Sequence, residues 1–325
     1  MKNSAWLKTC LVAALCLPGA QWACKSGDKA PAPPRKAAMP ESAVATKAEK
    51  ASPEQPPIQL ISPGRSRISL ELKFPDKTDI QAAADTLRKR LTTAGAKEPR
   101  VEVKPPRVLS VTVKDVASPD VVHLVAGFQG KLEVLPVDEK SRILELAHAE
   151  LDGTERLKIG LIQHAGQSAM LDSREPPYLI KIAQRIASKV TAKDRAIGIQ
   201  QQGKRAFAMV LVTRLILNNS DVERMSIAKD PDGRYRTVLH LGEAGAKRLA
   251  DYTAAHVGER LAVVLDDNIL LAPTIRERIG NGRIAVSSHF SEDAGRALMQ
   301  ARVQGFLISM DPLPARPEIT LIEKR

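Results

Sequence analysis

Two periods of apolar spacing alternate along this chain, and each change from one to the other marks the boundary of a predicted element. RISLELKF, residues 67–74, sets Ile68, Leu70, Leu72 and Phe74 on one face, the alternation of a half-buried strand. Thr78 and Gln81 then form a predicted capping box, and Ile80, Ala84, Leu87 and Leu91 continue at helical spacing as far as Gly95. PRVEVK and RVLSVTVK read as a second and a third strand around Pro105 and Pro106. Ser118 and Pro119 open a helix through Val121, Val122, Leu124 and Val125, closed near Gly127, and KLEVLPV supplies the fourth strand. The predicted fold class is α+β, with a ferredoxin-like unit in the order βαββαβ, two helices on one face of an antiparallel sheet.

The pattern is equally regular near the C-terminus. RTVLHL predicts a strand. From Glu243 to Val257 a helix follows, with Ala246, Leu249, Ala250, Thr253 and Val257 on one face and Glu243, Lys247, Arg248 and Asp251 on the other, ended at Gly258. LAVVL and NILLA are short apolar runs joined at Asp266, Asp267 and Asn268, residue types that tolerate positive φ, and so predict a hairpin. Gly280, Asn281 and Gly282 mark another reversal before the strand RIAVS. A last helix starts at Ser291, with Glu292 and Asp293 in its first turn, and buries Ala294, Ala297, Leu298 and Ala301. Between the two regions the pattern is weaker. ILELAHAELDG predicts a helix with Leu144, Ala147, His148 and Leu151 on one face, and AIGIQQQGKRAFAMVLV a hairpin about Gly203.

The N-terminus changes the picture. Lys2 and Lys8 precede the apolar stretch CLVAALCL, then Pro18, Gly19 and small residues, the build of a secretory signal peptide over residues 1–24 whose apolar core is too short for a membrane span. All three cysteines, Cys10, Cys16 and Cys24, fall in this segment, which leaves the exported body no disulfide to form. Cys24, after Ala23 and before the polar KSGDK, stands where a lipoprotein is cleaved and acylated, while Gln21 and Trp22 depart from the usual lipobox; the alternative is an ordinary signal peptide cut nearby. Residues 25–57 shift to Ala, Pro, Lys and Glu with seven prolines. Such a segment cannot bury enough surface to offset its ordering entropy and is expected to be a disordered tether reaching about 30 Å. No later run approaches the length of a transmembrane helix.

The chain carries a net charge of +12, or +10 once Lys2 and Lys8 leave with the signal peptide, so attraction to anionic surfaces is expected. An RNA-binding reading of the ferredoxin-like unit meets an obstacle: RVLSVTVK has no aromatic residue on which bases would stack. Nucleic acid is therefore not the expected partner. Catalytic patterns are fragmentary. The six histidines, at 123, 148, 164, 240, 256 and 289, include no HExxH pair. His148 with Glu150 matches half of a deaminase signature, and Gly166, Gln167 and Ser168 start a nucleophile elbow whose second glycine is replaced by Met170. No phosphate loop is present, and neither an enzyme nor a cofactor or metal site is expected.

The run from RTVLHL to ARVQG, together with TLRKRLTTAGAKEPRVEV, FQGKLEVLPV and the closing PEITLIEKR, resembles the first periplasmic domain of SecD and SecDF, accessory subunits of the Sec protein translocase. The resemblance implies a ferredoxin-like base, residues 58–137 and 312–325, completed by a C-terminal strand, with an inserted α+β head at residues 138–311. Several family features are altered. The DLxGG sequence before the first strand is replaced by SPGRSRIS, the LDG turn by Leu265, Asp266 and Asp267, and the Gly-Ala-Leu-Pro exit by GFLISMDPLP. Family members continue into a bundle of membrane helices, whereas this chain ends at Arg325. The expectation is a periplasmic binding module held at the inner or outer membrane by a lipid on Cys24. Its head would hold an unfolded or translocating polypeptide by strand addition, with hinges near Pro136 and Asp138 and near Pro312 and Pro314. Its partners would be that polypeptide, the Sec translocase or an envelope protein. The competing expectation is a structural or envelope-assembly lipoprotein that binds one folded partner.

Overall fold

Ile68, Leu70 and Leu72, two residues apart, are fully buried on one face of β1 (Pro63–Lys73). The computed structural model describes residues 59–190, 193–229, 233, 235–287 and 294–325, all within one compact unit, Thr46–Arg325. After β1 comes α1 (Ile80–Thr93), whose cap is Asp79 rather than the expected Thr78: the Asp79 carboxylate accepts the amides of Gln81 and Ala82 at 3.1 and 3.0 Å. The strands β2 (Arg100–Lys104) and β3 (Val108–Val116) form a hairpin, and α2 (Pro119–Gly127) follows with Val121, Val122 and Val125 buried.

From here the chain builds a second, larger lobe. It contains β4 (Leu132–Pro136), α3 (Ile143–Ala149), α4 (Gly153–Lys158), β5 (Gly160–Ile162), β6 (Met170–Ser173) and α5 (Pro176–Lys189). β7 (Arg195–Gln202) and β8 (Arg205–Val212) form the hairpin expected at Gly203, which takes φ +59°. Then come β9 (Leu217–Asn218), a 3-10 turn at Asn219–Asp221, β10 (Val222–Lys229), β11 (Tyr235–Leu241) and α6 (Glu243–Ala255). β12 (Leu261–Leu265) and β13 (Asn268–Leu271) are joined through Asp266 and Asp267 at φ +51° and +67°, the left-handed turn that their sequence predicted. The last elements are β14 (Arg283–Ser287), α7 (Ala294–Ser309) and β15 (Glu318–Lys324). The predicted cap of α7 at Ser291, Glu292 and Asp293 lies outside the described residues.

The strands form three sheets. The first is antiparallel in the order β15-β1-β3-β2, with α1 and α2 on one face. The expected fourth strand of this sheet is corrected here: β4 pairs with β12 and β9 in the second lobe, and β15 occupies the place beside β1. Burial gives the reason. Leu132 and Val134 of β4 enter one hydrophobic core and Leu135 and Val137 another, so this segment needs cover on both faces. The first sheet covers only one. The more polar EITLIEK of β15, largely exposed, suits its edge.

The second sheet runs β5-β6-β8-β7-β13-β12-β4-β9, with a parallel step between β13 and β7, and it curls until Val137 bridges Leu211 of β8. The third, β10-β11-β14, packs against α7. Gly305 permits that approach, since a Cβ there would stand 1.7 Å from Cε of Met225. The helix α7 serves both lobes. Val303, Phe306 and Leu307 enter the core beneath the first sheet, whereas Ile308 is buried in the second lobe. No helix among the described residues is long and apolar enough to cross a membrane. Phe306→Ala is expected to cost about 3–5 kcal/mol as the cavity is left unfilled, read as a lowered urea midpoint with one shared transition for both lobes; an unchanged midpoint would show that α7 does not join the cores.

Candidate functional site

The lobes meet where two stretches of chain cross side by side, residues 128–132 outgoing and 308–313 returning. Leu313 donates its amide to the Gln129 carbonyl (2.9 Å) and accepts from Gln129 Nε2 (3.0 Å). From the first lobe Arg90, fully buried on α1, gives Nη1 to the Phe128 carbonyl (2.9 Å), Nη2 to that of Gln129 (2.5 Å), and Nε and Nη2 to that of Asp311 (3.0 and 2.6 Å). From the second lobe the Asp266 carboxylate accepts the amides of Gly130 (3.0 Å) and Lys131 (2.7 Å). Asn219 accepts the Leu132 amide (2.8 Å) and donates to the carbonyls of Gly130 (2.8 Å) and Ile308 (3.0 Å). Gly130 takes φ +77°, and a Cβ on it would meet Arg90 Nη2 at 2.7 Å. Burial lowers the Arg90 guanidinium to about 10, opposed by the fields of Asp266 and Asp311. Burial likewise pushes the Asp266 carboxyl up, opposed by the two amides, Arg316 and Arg90.

A second buried polar cluster lies within the larger lobe. Arg260 and Glu139 form a two-pronged ion pair at 2.7 and 2.8 Å, with side chains 5% and 7% exposed. Glu139 also accepts the amides of Arg260 and Ser168, both at 2.9 Å. Ser168, the residue of the incomplete elbow motif, shares this cluster through its hydroxyl and carbonyl, each 3.0 Å from Arg260 Nη2. Its hydroxyl is thereby committed to structure. His148 donates to the Ile159 carbonyl (3.1 Å) and Glu150 pairs with Lys189, so the half signature of a deaminase is two separate surface contacts. Among the described residues no group of three His, Cys, Asp or Glu is placed to hold a metal ion.

The concave surface is elsewhere. α3 and α5 flank a groove of about 430 Å³ with Ile143, Leu146, Ala147, Ile186 and Val190 as its apolar lining and Glu150, Arg185 and Lys189 at its rim. Leu146 is 59% exposed, and Leu157 on the adjoining α4 is 89% exposed. Arg185 reaches Glu155 of α4 at 2.7 and 2.9 Å, and Lys189 reaches Glu150 at 3.0 Å, so the rim is fixed by ion pairs across the helices. The strand edges are less inviting. Of the six edge strands, β5 and β9 have three and two residues and β2, β10 and β15 carry charged side chains, features that discourage an added strand, while β14 (RIAVS) is mostly apolar.

Cys24 lies outside the described residues. Pro136 and Asp138, expected at a crossing between base and head, sit inside the second sheet: Pro136 pairs with Leu261, and Asp138 gives its amide to Val210 (2.9 Å) and receives Arg195 Nε (2.5 Å). The crossing falls earlier, at residues 128–131, because β4 has joined the larger lobe. Pro312 and Pro314 flank Leu313 in the returning stretch. Neither Arg90 nor Asn219 was marked by any sequence motif; Arg90 reads as the third base of an ordinary helical RKR run.

These features define a class: an α+β module of two lobes, joined by a polar junction, that offers a groove on the larger lobe. Residues 190–303 match the family model described as the SecDF P1 head subdomain. The chain is 21% identical over 238 residues to the protein translocase subunit SecD of Magnetococcus marinus, covering 72% of this chain and 39% of that protein. It is 26% identical over 273 residues to the SecD of Elusimicrobium minutum, covering 81% and 51%. A solved SecDF in a form described as super-membrane-facing aligns with a TM-score of 0.48 and 18% identity over 84% of this chain and 32% of that one. The chain thus spans about half or less of the curated relatives it matches, and its likeness is to the first periplasmic domain of SecD and SecDF.

Burial acts to raise the Glu139 carboxyl, but the Arg260 guanidinium and the amides of Ser168 and Arg260 outweigh it and hold the group below the usual range. A carboxyl lowered by folding adds stability above its unfolded pKa and loses it as pH falls through the folded value. Glu139→Gln, which strands a buried guanidinium, is expected to cost about 3–5 kcal/mol at neutral pH and to flatten the acid limb of stability measured by urea unfolding. Equal acid limbs for the two proteins would remove Glu139 from that balance.

Proposed function

We propose that this chain is an exported, membrane-tethered SecD-like module that holds unfolded or translocating polypeptide during protein export. The observation that carries the holding role is the groove between α3 and α5, apolar within, charged at its rim and lined by the exposed Leu146. Concave apolar surfaces of this kind take side chains from a flexible partner without demanding one sequence. The likeness of residues 190–303 to the SecDF P1 head supplies the setting, export through the Sec translocase. Side chains entering the groove replace strand addition as the means of holding, because the edges β5 and β9 are short and β2, β10 and β15 are charged; β14 (RIAVS) is the apolar edge that remains.

In this reading the first lobe is a ferredoxin-like base whose βαββα run is closed by β15, and the second is the inserted head. The segment 1–24 is a signal peptide, Cys24 its lipid acceptor, and residues 25–57 a tether that lets the module work in the periplasm off the membrane surface. The partners are the exported polypeptide and the Sec translocase or another envelope protein.

Binding of the purified protein to a reduced, alkylated and fluorescently labelled polypeptide, followed by anisotropy, tests the holding role. Leu146→Glu alters an exposed position and is expected to weaken binding at least tenfold, about 1.4 kcal/mol, with an unchanged thermal midpoint. Absence of wild-type binding, or equal binding by the variant, would overturn the proposal in favour of a folded partner. Radioactive palmitate supplied to growing cells is expected to label the wild-type chain and not Cys24→Ala; an unlabelled wild type would remove the anchor.

A further inference from the structure

The sheet β10-β11-β14 meets α7 with one face, where Thr237, Leu239 and Val286 are buried and the Thr237 hydroxyl donates to the Ala301 carbonyl (3.0 Å). On the opposite face three residues stand in one cross-strand row: Arg224 of β10, His240 of β11 and Arg283 of β14. Arg224 is exposed, and the other two are half-buried. We propose that this face docks on a bilayer of anionic lipid, with the headgroup phosphates taken by Arg224 and Arg283 on either side of His240. The reading rests neither on the groove nor on acylation of Cys24.

Potential cations in opposed positions repel one another across a sheet. The effect is visible at His240, whose imidazole is held below its ordinary value by burial and then by Arg224 and Arg283, with Glu223 in opposition. Among the described residues neither arginine side chain makes an ion pair. A row left unneutralised, in a chain of net charge +12, is complementary to a surface that brings its own negative charge. The shape of the face narrows the choice. Ser226, Val238 and Ala285, beside the row, are small or medium-sized and build no wall around a single small anion. The outer strands lie about 10 Å apart, so one plane of headgroups meets both arginines at once. Nucleic acid would find no Phe, Tyr or Trp among these residues on which to stack its bases. The groups that face His240 are Glu223, Arg224 and Ser226 from β10 and Arg283 from β14, with Ser226 Oγ 3.0 Å from Nε2. A phosphate beside the row raises the imidazole, so docking strengthens as pH falls.

Co-sedimentation of the full chain with vesicles of one part phosphatidylglycerol to two parts phosphatidylcholine tests the docking. Every protein carries Cys24→Ala, so no acyl chain contributes, and the shared N-terminal segment cancels in each comparison. Joint replacement Arg224→Gln and Arg283→Gln is expected to weaken binding about thirtyfold, with a thermal midpoint equal to or above that of the parent because the repulsion is relieved. The pair Arg224→Lys and Arg283→Lys keeps the charge and is expected to bind within about threefold of the parent. Equal binding by the glutamine pair, or equal binding of the parent to pure phosphatidylcholine, would overturn the proposal. So would release by a few millimolar inorganic phosphate but not by chloride at equal ionic strength, or tighter binding to poly-glutamate than to the vesicles, since either assigns the row to a soluble anion. Between about pH 7.5 and about pH 5.5 the parent is expected to gain affinity and His240→Gln to gain less; an equal gain in both would overturn the part given to His240.

Discussion

A chain that leaves one hydrophobic core for another, and later returns, carries unpaired amides and carbonyls through the space between them. Each such group buried without a partner costs free energy comparable to a lost hydrogen bond. In this molecule the debt falls due at residues 128–132 and 308–313, and it is met by side chains rather than by a sheet. Arg90 takes carbonyls, Asp266 takes amides and Asn219 takes both. The division follows from chemistry: a guanidinium only donates, a carboxylate only accepts, and a primary amide does each. Charges at both ends of the set also answer one another across the junction, since each opposes the shift that burial imposes on its partner.

With the crossings satisfied, the two lobes can differ in architecture. The first keeps one sheet face open to solvent and tolerates a polar edge strand. The second must bury both faces of β4, and it does so between separate cores on the two sides of the curled sheet. The exchange of β4 for β15 is thus a consequence of burial rather than of local strand propensity. It also moves the boundary between the lobes a few residues toward the N-terminus, into the stretch that Arg90 and Asp266 hold.

Much of this was legible in the sequence. Period-two spacing identified β1, and the paired aspartates at 266 and 267 identified the β12–β13 turn, because a left-handed conformation restricts residue type at the turn itself. Gly203 did the same for β7 and β8. The partner of each strand was harder to read. KLEVLPV has the length and position of the fourth strand of a ferredoxin-like unit, but its apolar residues lie on both faces and call for cover from two cores, which the first sheet does not supply. The polar junction escaped for a related reason. Asp266 was visible as a turn residue, but its carboxylate acts on amides 135 and 136 residues away, and Arg90 reads like its neighbours Arg88 and Lys89 until burial singles it out.

The groove shows where pattern reading stops short of function. ILELAHAELDG predicts a helix with Leu144, Ala147, His148 and Leu151 on one face, and Leu144 and Leu151 are buried while Ala147 and His148 are half-buried. Leu146 was left over by that assignment, and it is the residue that stands in the open. A single exposed leucine requires no explanation, since apolar atoms make up much of any protein surface. Leu146 differs because Ile143, Ile186 and Val190 extend its apolar surface into a concavity, and because Arg185 and Lys189 are tied to the acids of α3 and α4 instead of folding over it. Ion pairs at exposed positions add little stability. Their effect here is to keep long side chains at the rim, which leaves the apolar floor accessible to side chains from another molecule.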